Sequence, residues 1–540
     1  MLHLNAQSLS DKFDWDAMNI KLPEFDIQVM VEKTKKHPSW LHFGSGNIFR
    51  GFIAALQQKL LNLSAAETGI IAVGGYDYEI IDQIYRPYDN LTLLVQLFPD
   101  GSMDKQVIAS VAESLTADIS KTEDWERLKQ IFCEPTLQMV SFTITEKGYA
   151  LTNLSGSWLQ DVQMDLVNGP GSPTHLMSKI TNLAYIRYLS SEMPIAFVSM
   201  DNCSHNGELL HDALITIARE WNKSGFVDDR FINYLNDKNT VAFPWTMIDK
   251  ITPHPSERVK NELKQLNLAD MEIISTSKNS HAAPFVNAEV PEYLVIEDHF
   301  PNGRMPLEKA GVLFADRDSV EKAEKMKVTT CLNPLHTALA VFGCILKYHS
   351  IADSIKDDDL SKLVKKIGYD EGIPVVVNSG LLDPMDFITE VIEKRLPNPY
   401  IPDSPQRIAT DTSQKMAIRY GETIKSYLAH VDLDVKRLRY IPLVIAGWCR
   451  YLLGVDDKGI NMPLSSDPML EPLTESLKDI KLGDMESYHG QLIPILSNEK
   501  LFGLNLYEAG LGDLIESYFL EFISGIDAVR NTLHSYVNLT

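Results

Sequence analysis

Hydrophobic residues in the first half of the chain occur in short apolar runs separated by polar or helix-like stretches. Residues 39–62 read as an apolar strand, a glycine turn and an amphipathic helix. Apolar side chains recur every four residues along that helix, at Ile48, Phe52, Leu56 and Leu60. A second apolar run at 68–75 follows at the spacing of a strand–helix–strand unit.

Further runs that favour strands alternate with helix-like or polar stretches. They lie at residues 92–98, 105–114, 137–149 and 194–202. This alternation is typical of a mostly parallel sheet covered on both faces by helices. The pattern therefore predicts an α/β fold with a mostly parallel sheet for the first part of the chain.

Helical patterns dominate the second half of the chain, beginning near Glu308. We predict two domains, residues 1–300 and 301–540, with the second one mostly α-helical and starting between Val286 and Leu313. Residues 283–308 are rich in proline and acidic residues, which favours a connection between the two domains.

Composition narrows the possible partners. The chain has 540 residues, 44% of them hydrophobic, and a formal net charge of −23, which argues against nucleic-acid and anionic-membrane surfaces. No apolar run reaches about 18 residues, so no membrane span is expected. The five scattered cysteines suit a reducing cytoplasm, and no spacing of ligands supports a metal. We expect a cytoplasmic enzyme that is a monomer or a small homo-oligomer.

The glycine turn is the candidate nucleotide site, because it joins a strand to a helix. Gly44 permits a tight turn, Gly46 allows the main chain to approach a pyrophosphate, and the helix N-terminus supplies N–H groups. The third position of the dinucleotide motif is Phe49 rather than glycine, so a glycine turn without a ligand is the alternative. The candidate cofactor residues are Gly44, Gly46, Asn47, Ile48, Phe49 and Arg50.

Asp77 follows the second apolar run, where an acidic side chain can accept hydrogen bonds from the adenosine ribose. An acid at this position favours NAD over NADP, because it repels a 2′-phosphate. The alternative is an ordinary loop residue on an acidic surface, and Glu79 is the next candidate.

Three polar motifs suggest a chemical site. The segment 199–207 (SMDNCSHNG) follows an apolar strand, although a turn that caps the next helix would look the same. Asn333 and His336 share one face of an apolar helix, where a hydrogen-bonded core histidine is the alternative. Residues 407–415 (RIATDTSQK), with Arg419 beyond them, are cationic, although a solvated helix face is also cationic.

Together these motifs resemble the polyol-specific long-chain dehydrogenase family, also called the mannitol dehydrogenase family. The matching segments occur in the family's order and cover most of the chain: HFGSGNIFRGF, SFTITEKGY, SMDNCSHNGELL, FPWTMIDKITP, KVTTCLNPLH, RIATDTSQK and AGWCRYLLGVDDKG. An ordered set of this kind is far more specific than any single motif.

The resemblance implies a Rossmann-type NAD-binding domain, a helical domain and catalysis without zinc in the cleft between them. It implies that Lys327 is the general acid/base, with Glu324 in a proton relay. Asn202 and Asn333 match the asparagines that hold the reacting oxygen, and His336 matches a histidine that positions the substrate oxygens. The residues that match the family's substrate-site lining are Asp249, Arg407 and Lys415.

The spacing after the lysine departs from the family pattern. Five residues separate Lys327 from Asn333, where the family has four, and one extra residue turns a helix by about 100°. Either the lysine precedes the helix or the segment contains a bulge. Pro334 suits a first helical turn, which predicts a helix start near Asn333.

The length of the chain and its KVTTCLNPLH segment resemble the fructuronate reductase (D-mannonate oxidoreductase) branch more than the mannitol dehydrogenase branch. The sequence therefore predicts a small sugar-acid substrate. Mannitol 2-dehydrogenase and tagaturonate reductase activities are the alternatives. A catalytically inactive nucleotide-binding protein is the non-enzyme alternative, and the intact set of polar residues argues against it.

Overall fold

The computed structural model describes residues 1–153, 155–401 and 403–539. The chain divides into two compact units, Met1–Glu321 and Lys322–Thr540. The division falls later than residue 300, because the strand Leu313–Ala315 still pairs with the strand Tyr293–Glu297.

The strands of the described residues all lie in unit 1 and are numbered in chain order. They are β1 (Ile20–Lys21), β2 (Trp40–Phe43), β3 (Ile70–Gly74), β4 (Thr92–Leu97), β5 (Met103–Ile108), β6 (Val111–Thr116), β7 (Met139–Phe142), β8 (Ile195–Ser199), β9 (Val241–Ala242), β10 (Thr246–Asp249), β11 (Ile274–Ser275), β12 (His281–Ala282), β13 (Phe285–Glu289), β14 (Tyr293–Glu297) and β15 (Leu313–Ala315).

A six-stranded parallel sheet, in the order β6-β3-β2-β7-β8-β9, forms the centre of unit 1. Alternate residues of its strands enter two separate hydrophobic clusters. On β2, for example, Leu41 and Phe43 belong to one cluster and Trp40 to the other. The sheet is therefore covered on both faces, as the fully apolar runs predict.

Two expectations about strands need correction. The run 105–114 is divided between β5 and β6, which lie in different sheets, because β5 pairs antiparallel with β4 across a tight turn at Gly101. The predicted connection at 283–308 instead contains β13, which pairs with β4, and β14, which pairs with β10. Its apolar residues, such as Val286, are buried strand residues.

The α-helices of unit 1 cover the faces of the sheet or connect its strands. They are α1 (Lys12–Ala17), α2 (Ile27–Lys36), α3 (Ala54–Asn62), α4 (Thr122–Cys133), α5 (Gln160–Asn168), α6 (Leu176–Ser191), α7 (Asn206–Lys223), α8 (Asp229–Asn236) and α9 (Glu257–Gln265), with α10 (Arg317–Met326) running across the boundary.

Unit 2 is helical in the part of the chain that the structure describes, as predicted. Its helices are α11 (Asn333–Ile345), α12 (Ile351–Lys356), α13 (Asp358–Lys365), α14 (Pro384–Glu390), α15 (Pro405–Ile408), α16 (Glu422–Ala429), α17 (Tyr440–Tyr451), α18 (Leu470–Leu477), α19 (Ile493–Leu496), α20 (Glu499–Phe502), α21 (Gly512–Ile523) and α22 (Ala528–Val537).

Several helices contain π-helical segments, which arise when one extra residue is accommodated within a helix. They lie at Phe49–Ile53, Ile81–Tyr85, Lys327–Cys331, Lys366–Gly372, Val391–Arg395 and Ala417–Gly421. The stretch Arg317–Ile345 is long and apolar enough to cross a membrane, but 78% of its apolar window is buried inside the protein, and a core helix has the same property.

Candidate active site

The turn after β2 contains the two glycines predicted to bind the cofactor. Gly44 has a φ of +116°, and a Cβ added there would lie 2.2 Å from the carbonyl oxygen of Thr143, so only glycine fits. A Cβ added to Gly46 would meet no atom from elsewhere in the described protein within 4 Å. The helix begins directly afterwards, with the Arg50 N–H donating to Gly46 O at 3.2 Å. Its first N–H groups have no partner within the helix, an arrangement suited to a pyrophosphate.

The other predicted cofactor residues hold this turn with their side chains. Phe49 is fully buried and stacks on His42, with 4.3 Å between ring centroids. Arg50 is also buried and donates to a main-chain carbonyl at 2.7 Å and to Asn47 Oδ1 at 2.9 Å. Ile48 is half-buried. Phe49 and Arg50 can therefore reach a cofactor only through their main chain.

His42 supports the glycine turn through hydrogen bonds, and its role was not predicted from the sequence. Its Nδ1 lies 2.6 Å from Ser141 Oγ and its Nε2 lies 2.8 Å from Thr143 Oγ1. Burial lowers the pKa of His42 to about 3, so the ring is neutral and bridges β2 to the end of β7. Thr143 Oγ1 in turn donates to Gly44 O at 3.4 Å. The only sequence signal was a histidine within an otherwise apolar strand.

Asp77 lies after β3 and is held by the β11–β12 hairpin, which sequence reasoning did not connect with it. Thr276 Oγ1 donates to Asp77 Oδ2 at 2.6 Å. Asp77 Oδ1 is buried without a hydrogen-bond partner among the described residues. An unused buried acceptor is what a ribose hydroxyl requires. The neighbouring Glu79 accepts from Ser277 instead, at 3.1 Å from its N–H.

The loop after β8 is organised by Asp201, whose carboxylate accepts from three groups. These are the Ile144 N–H at 2.9 Å, the Thr145 N–H at 2.8 Å and the Tyr149 hydroxyl at 2.6 Å. Thr145 has a φ of +65°, a strained conformation for a β-branched residue. Asp201 therefore has a structural role, and the next residue, Asn202, is exposed at the carboxyl edge of the sheet.

The glycine turn and the loops that carry Asp77, Thr145 and Asn202 follow β2, β3, β7 and β8, which are parallel neighbours in the central sheet. Their carboxyl ends therefore lie along one edge, where ligands bind in open α/β sheets. This edge carries the glycine turn, Asp77, the strained Thr145 and Asn202.

In unit 2 the extra residue after the lysine is absorbed by a bulge. Lys327 is 1% exposed and is the first residue of the π segment Lys327–Cys331. The Leu332 N–H donates to Lys327 O at 3.1 Å, a five-residue spacing. α11 then begins at Asn333, with Pro334 in its first turn, as predicted. Such bulges are frequent at functional sites.

The first turn of α11 presents Asn333 and His336. The Asn333 side chain makes no hydrogen bond within the described part of the chain and is partly accessible. His336 Nε2 lies 3.5 Å from Asp403 Oδ2. Burial and neighbouring cations lower the pKa of His336 to about 3. The imidazole is therefore neutral at physiological pH.

The other predicted substrate and relay residues are Arg407, Lys415, Glu324 and Asp249. Arg407 Nε donates to Asp403 Oδ1 at 2.6 Å, and Lys415 donates to a main-chain carbonyl. Glu324 lies in α10, three residues before the buried lysine, and Asp249 is buried at the end of β10 in unit 1. In the described ranges no group of three His, Cys, Asp or Glu side chains is placed to hold a metal ion.

Two family models match the chain. The mannitol dehydrogenase Rossmann domain matches residues 38–309, and the mannitol dehydrogenase C-terminal domain matches residues 319–510. The D-mannonate oxidoreductase of Thermotoga maritima is 54% identical over 538 residues, covering 99% of both chains. The chain belongs to the mannitol dehydrogenase family. It is therefore an oxidoreductase with a Rossmann-type domain, and the predicted resemblance is confirmed.

Other members of the mannitol dehydrogenase family are more distant. A polyol:NADP oxidoreductase of Gluconobacter oxydans is 28% identical, covering 87% of this chain and 89% of its own length. The solved mannitol 2-dehydrogenase of Pseudomonas fluorescens, a ternary complex with NAD and D-mannitol, has a TM-score of 0.72 at 24% identity and covers all of both chains. That likeness supports the fold. The printed names of these two relatives give different cofactors, NADP and NAD, so the cofactor of this chain depends on its own residues.

Proposed function

We propose that this protein is an NAD-dependent dehydrogenase that interconverts D-fructuronate and D-mannonate. The observation that carries the proposal is the full-length, 54% identity to a D-mannonate oxidoreductase. A sugar acid is the substrate, and the protein is a cytoplasmic monomer or small homo-oligomer.

Unit 1 holds the cofactor. The main chain from Gly44 to Arg50 binds the pyrophosphate, and Asp77 Oδ1 accepts from the adenosine ribose. Support comes from the uncrowded position of Gly46 and from the unused buried acceptor on Asp77. The same acid disfavours NADP, because a 2′-phosphate beside a carboxylate is repelled. When bound, NADH supplies the hydride that reduces the ketone.

Side chains of the protein stabilise and then protonate the substrate oxygen. As the ketone is reduced its oxygen gains nearly a full negative charge, which fixed donors stabilise. The side-chain amides of Asn202 and Asn333 donate to that oxygen, and neutral His336 orients the substrate hydroxyls. The ammonium of Lys327 then donates a proton to the oxygen, and Glu324 relays a replacement. Asp249, Arg407 and Lys415 bind the rest of the substrate.

A kinetic panel tests the proposal. Rates are measured with fructuronate, tagaturonate, fructose and their reduced forms, each with NAD(H) and NADP(H). We expect the highest kcat/KM for fructuronate with NADH. A clear preference for tagaturonate or fructose would mean that this compound, and not fructuronate, is the substrate. NADH binding without turnover on any keto-sugar or ketouronate would favour a nucleotide-binding protein that has lost catalysis.

A further inference from the structure

A group of cations surrounds the neutral imidazole of His336. Four positive side chains act on it electrostatically: Arg395, Arg407, Lys415 and Arg419. Asp403 Oδ2 lies 3.5 Å from its Nε2. Acids offset part of this charge, because Asp403 pairs with Arg407, and Asp411 and Asp467 act on Lys415. In a chain of net charge −23, a cation of this group that keeps no carboxylate partner indicates an anionic ligand.

Arg419 differs from the other arginine of the predicted substrate motif. Arg407 is exposed and its guanidinium already pairs with Asp403. Arg419 is mostly buried, and no carboxylate of the described residues lies within ion-pair distance of it. Its hydrogen bond goes from Nη1 to the Thr337 hydroxyl. Burial without a counter-ion lowers the pKa of Arg419 to about 10. A largely buried cation without a carboxylate partner is costly, so this site is suited to an incoming anion.

Contacts within unit 2 tie Arg419 to the first turn of α11. Thr337, its hydrogen-bond partner, follows His336 and donates to Asn333 O at 3.0 Å. The adjacent Tyr420 donates to Pro334 O at 2.7 Å. The guanidinium is therefore fixed beside the helix turn that carries the proposed substrate-binding side chains.

We infer that Arg419 binds the carboxylate of a sugar-acid substrate and thereby selects aldonates and ketouronates over neutral polyols. This inference rests on the proposed function and names the residue behind its substrate class. A guanidinium binds a carboxylate through two parallel hydrogen bonds. A polyol of the same length offers a hydroxyl there and leaves the buried charge unpaired. Discrimination by such an unpaired group is strong.

The test uses D-mannonate and D-mannitol, which differ in this carboxylate alone. Oxidation by NAD and binding, measured as a thermal shift in the presence of NAD, are compared for both compounds with wild type, Arg419→Lys and Arg419→Leu. We expect Arg419→Leu to raise KM and Kd for mannonate about 100-fold, with little change for mannitol. Arg419→Lys should recover part of the loss, because it keeps the charge without the fork.

Arg437→Leu, at an exposed arginine of the same unit, is the control and should leave both compounds unaffected. Equal losses for mannonate and mannitol in Arg419→Leu would overturn the inference, as would an unchanged preference between them. Melting temperatures of the variants identify a folding defect, in which case Arg419→Lys alone decides.

Failure of the proposed function would look different. The wild type would then prefer another sugar acid, such as gluconate, over its matching alditol, and Arg419→Leu would still remove that preference.

Discussion

Two helix N-termini carry the proposed chemistry, and they are built in opposite ways. In unit 1 the helix after Gly46 offers its main chain, because Gly46 leaves room there and the side chains of Phe49 and Arg50 point into the protein. In unit 2 the first turn of α11 offers side chains, Asn333 and His336.

Both turns are held by residues distant in sequence. His42 and Thr143, which support the turn in unit 1, are 101 positions apart, and Arg419 and Tyr420 reach Thr337 and Pro334 over 82 and 86 positions. The two sites differ in what the sequence shows. The glycines of the main-chain site form a recognisable local motif, whereas the side-chain site depends on which polar groups tertiary packing leaves available.

The largest effect is expected at Lys327, where a substitution should lower turnover without changing cofactor affinity. Lys327→Ala should lower kcat by about 10²–10⁴-fold, the usual contribution of a general acid/base, while NADH fluorescence titration gives an unchanged Kd. Lys325→Ala is the matched control, because Lys325 is exposed and pairs with Glu422 at 3.3 Å. If both variants keep near-normal turnover, the lysine is not the acid/base.

Substitution of the two glycines in the turn of unit 1 should affect different properties, stability at Gly44 and cofactor affinity at Gly46. Gly44→Ala should lower the free energy of unfolding by about 2–4 kcal/mol, because the residue has a positive φ and its new Cβ would overlap Thr143. Gly46→Ala should fold normally and lose NADH affinity, because its Cβ occupies the space intended for the pyrophosphate. Thermal unfolding and NADH titration of both variants check this. Normal NADH binding by Gly46→Ala would contradict the main-chain site.

Asp77→Ala should weaken NADH binding by about tenfold, equivalent to about 1.4 kcal/mol, and narrow the difference between NADH and NADPH. Glu79→Ala is the control, because Glu79 accepts from Ser277. Kd values for both cofactors provide the measurement. If the preference for NADH over NADPH changes in Glu79→Ala and not in Asp77→Ala, the ribose is bound by Glu79 instead.

Thr276→Val should have the smallest effect. It removes the hydroxyl that holds Asp77 Oδ2 while keeping the shape of the side chain, so a loss of about 0.5–1.5 kcal/mol in NADH binding is expected. Thr276→Ser should bind like the wild type. An identical Kd for all three proteins would mean that the hairpin does not position Asp77.

Several features were predictable because their signals are local. The parallel sheet followed from fully apolar runs, and the helix start at Asn333 followed from Pro334. The spacing after Lys327 predicted either a bulge or a lysine outside the helix, and the structure has the bulge. Each of these depends on residues within one or two turns of chain.

Other features were missed because they depend on long-range pairing. Nothing near Asp77 in the sequence points to Thr276, and nothing near β4 indicates that it pairs with β13 rather than joining the central sheet. The run 105–114 looks like one strand, and its division between two sheets is set by the turn before it and by its partners.

The sequence by itself determined the parallel sheet and the glycine turn, because apolar periodicity and glycine conformation act over a few residues. The ordered set of motifs, through its resemblance to the family, indicated the family and the Rossmann-type domain. The tertiary structure decided which buried polar groups keep a hydrogen-bond acceptor or a charge without a partner. Among the residues that the structure describes, Asp77 keeps a free acceptor because Thr276 occupies the other oxygen, and Arg419 keeps an unpaired charge because its partner is a hydroxyl. Such capacity depends on what burial leaves unpaired, and residue order alone does not specify it.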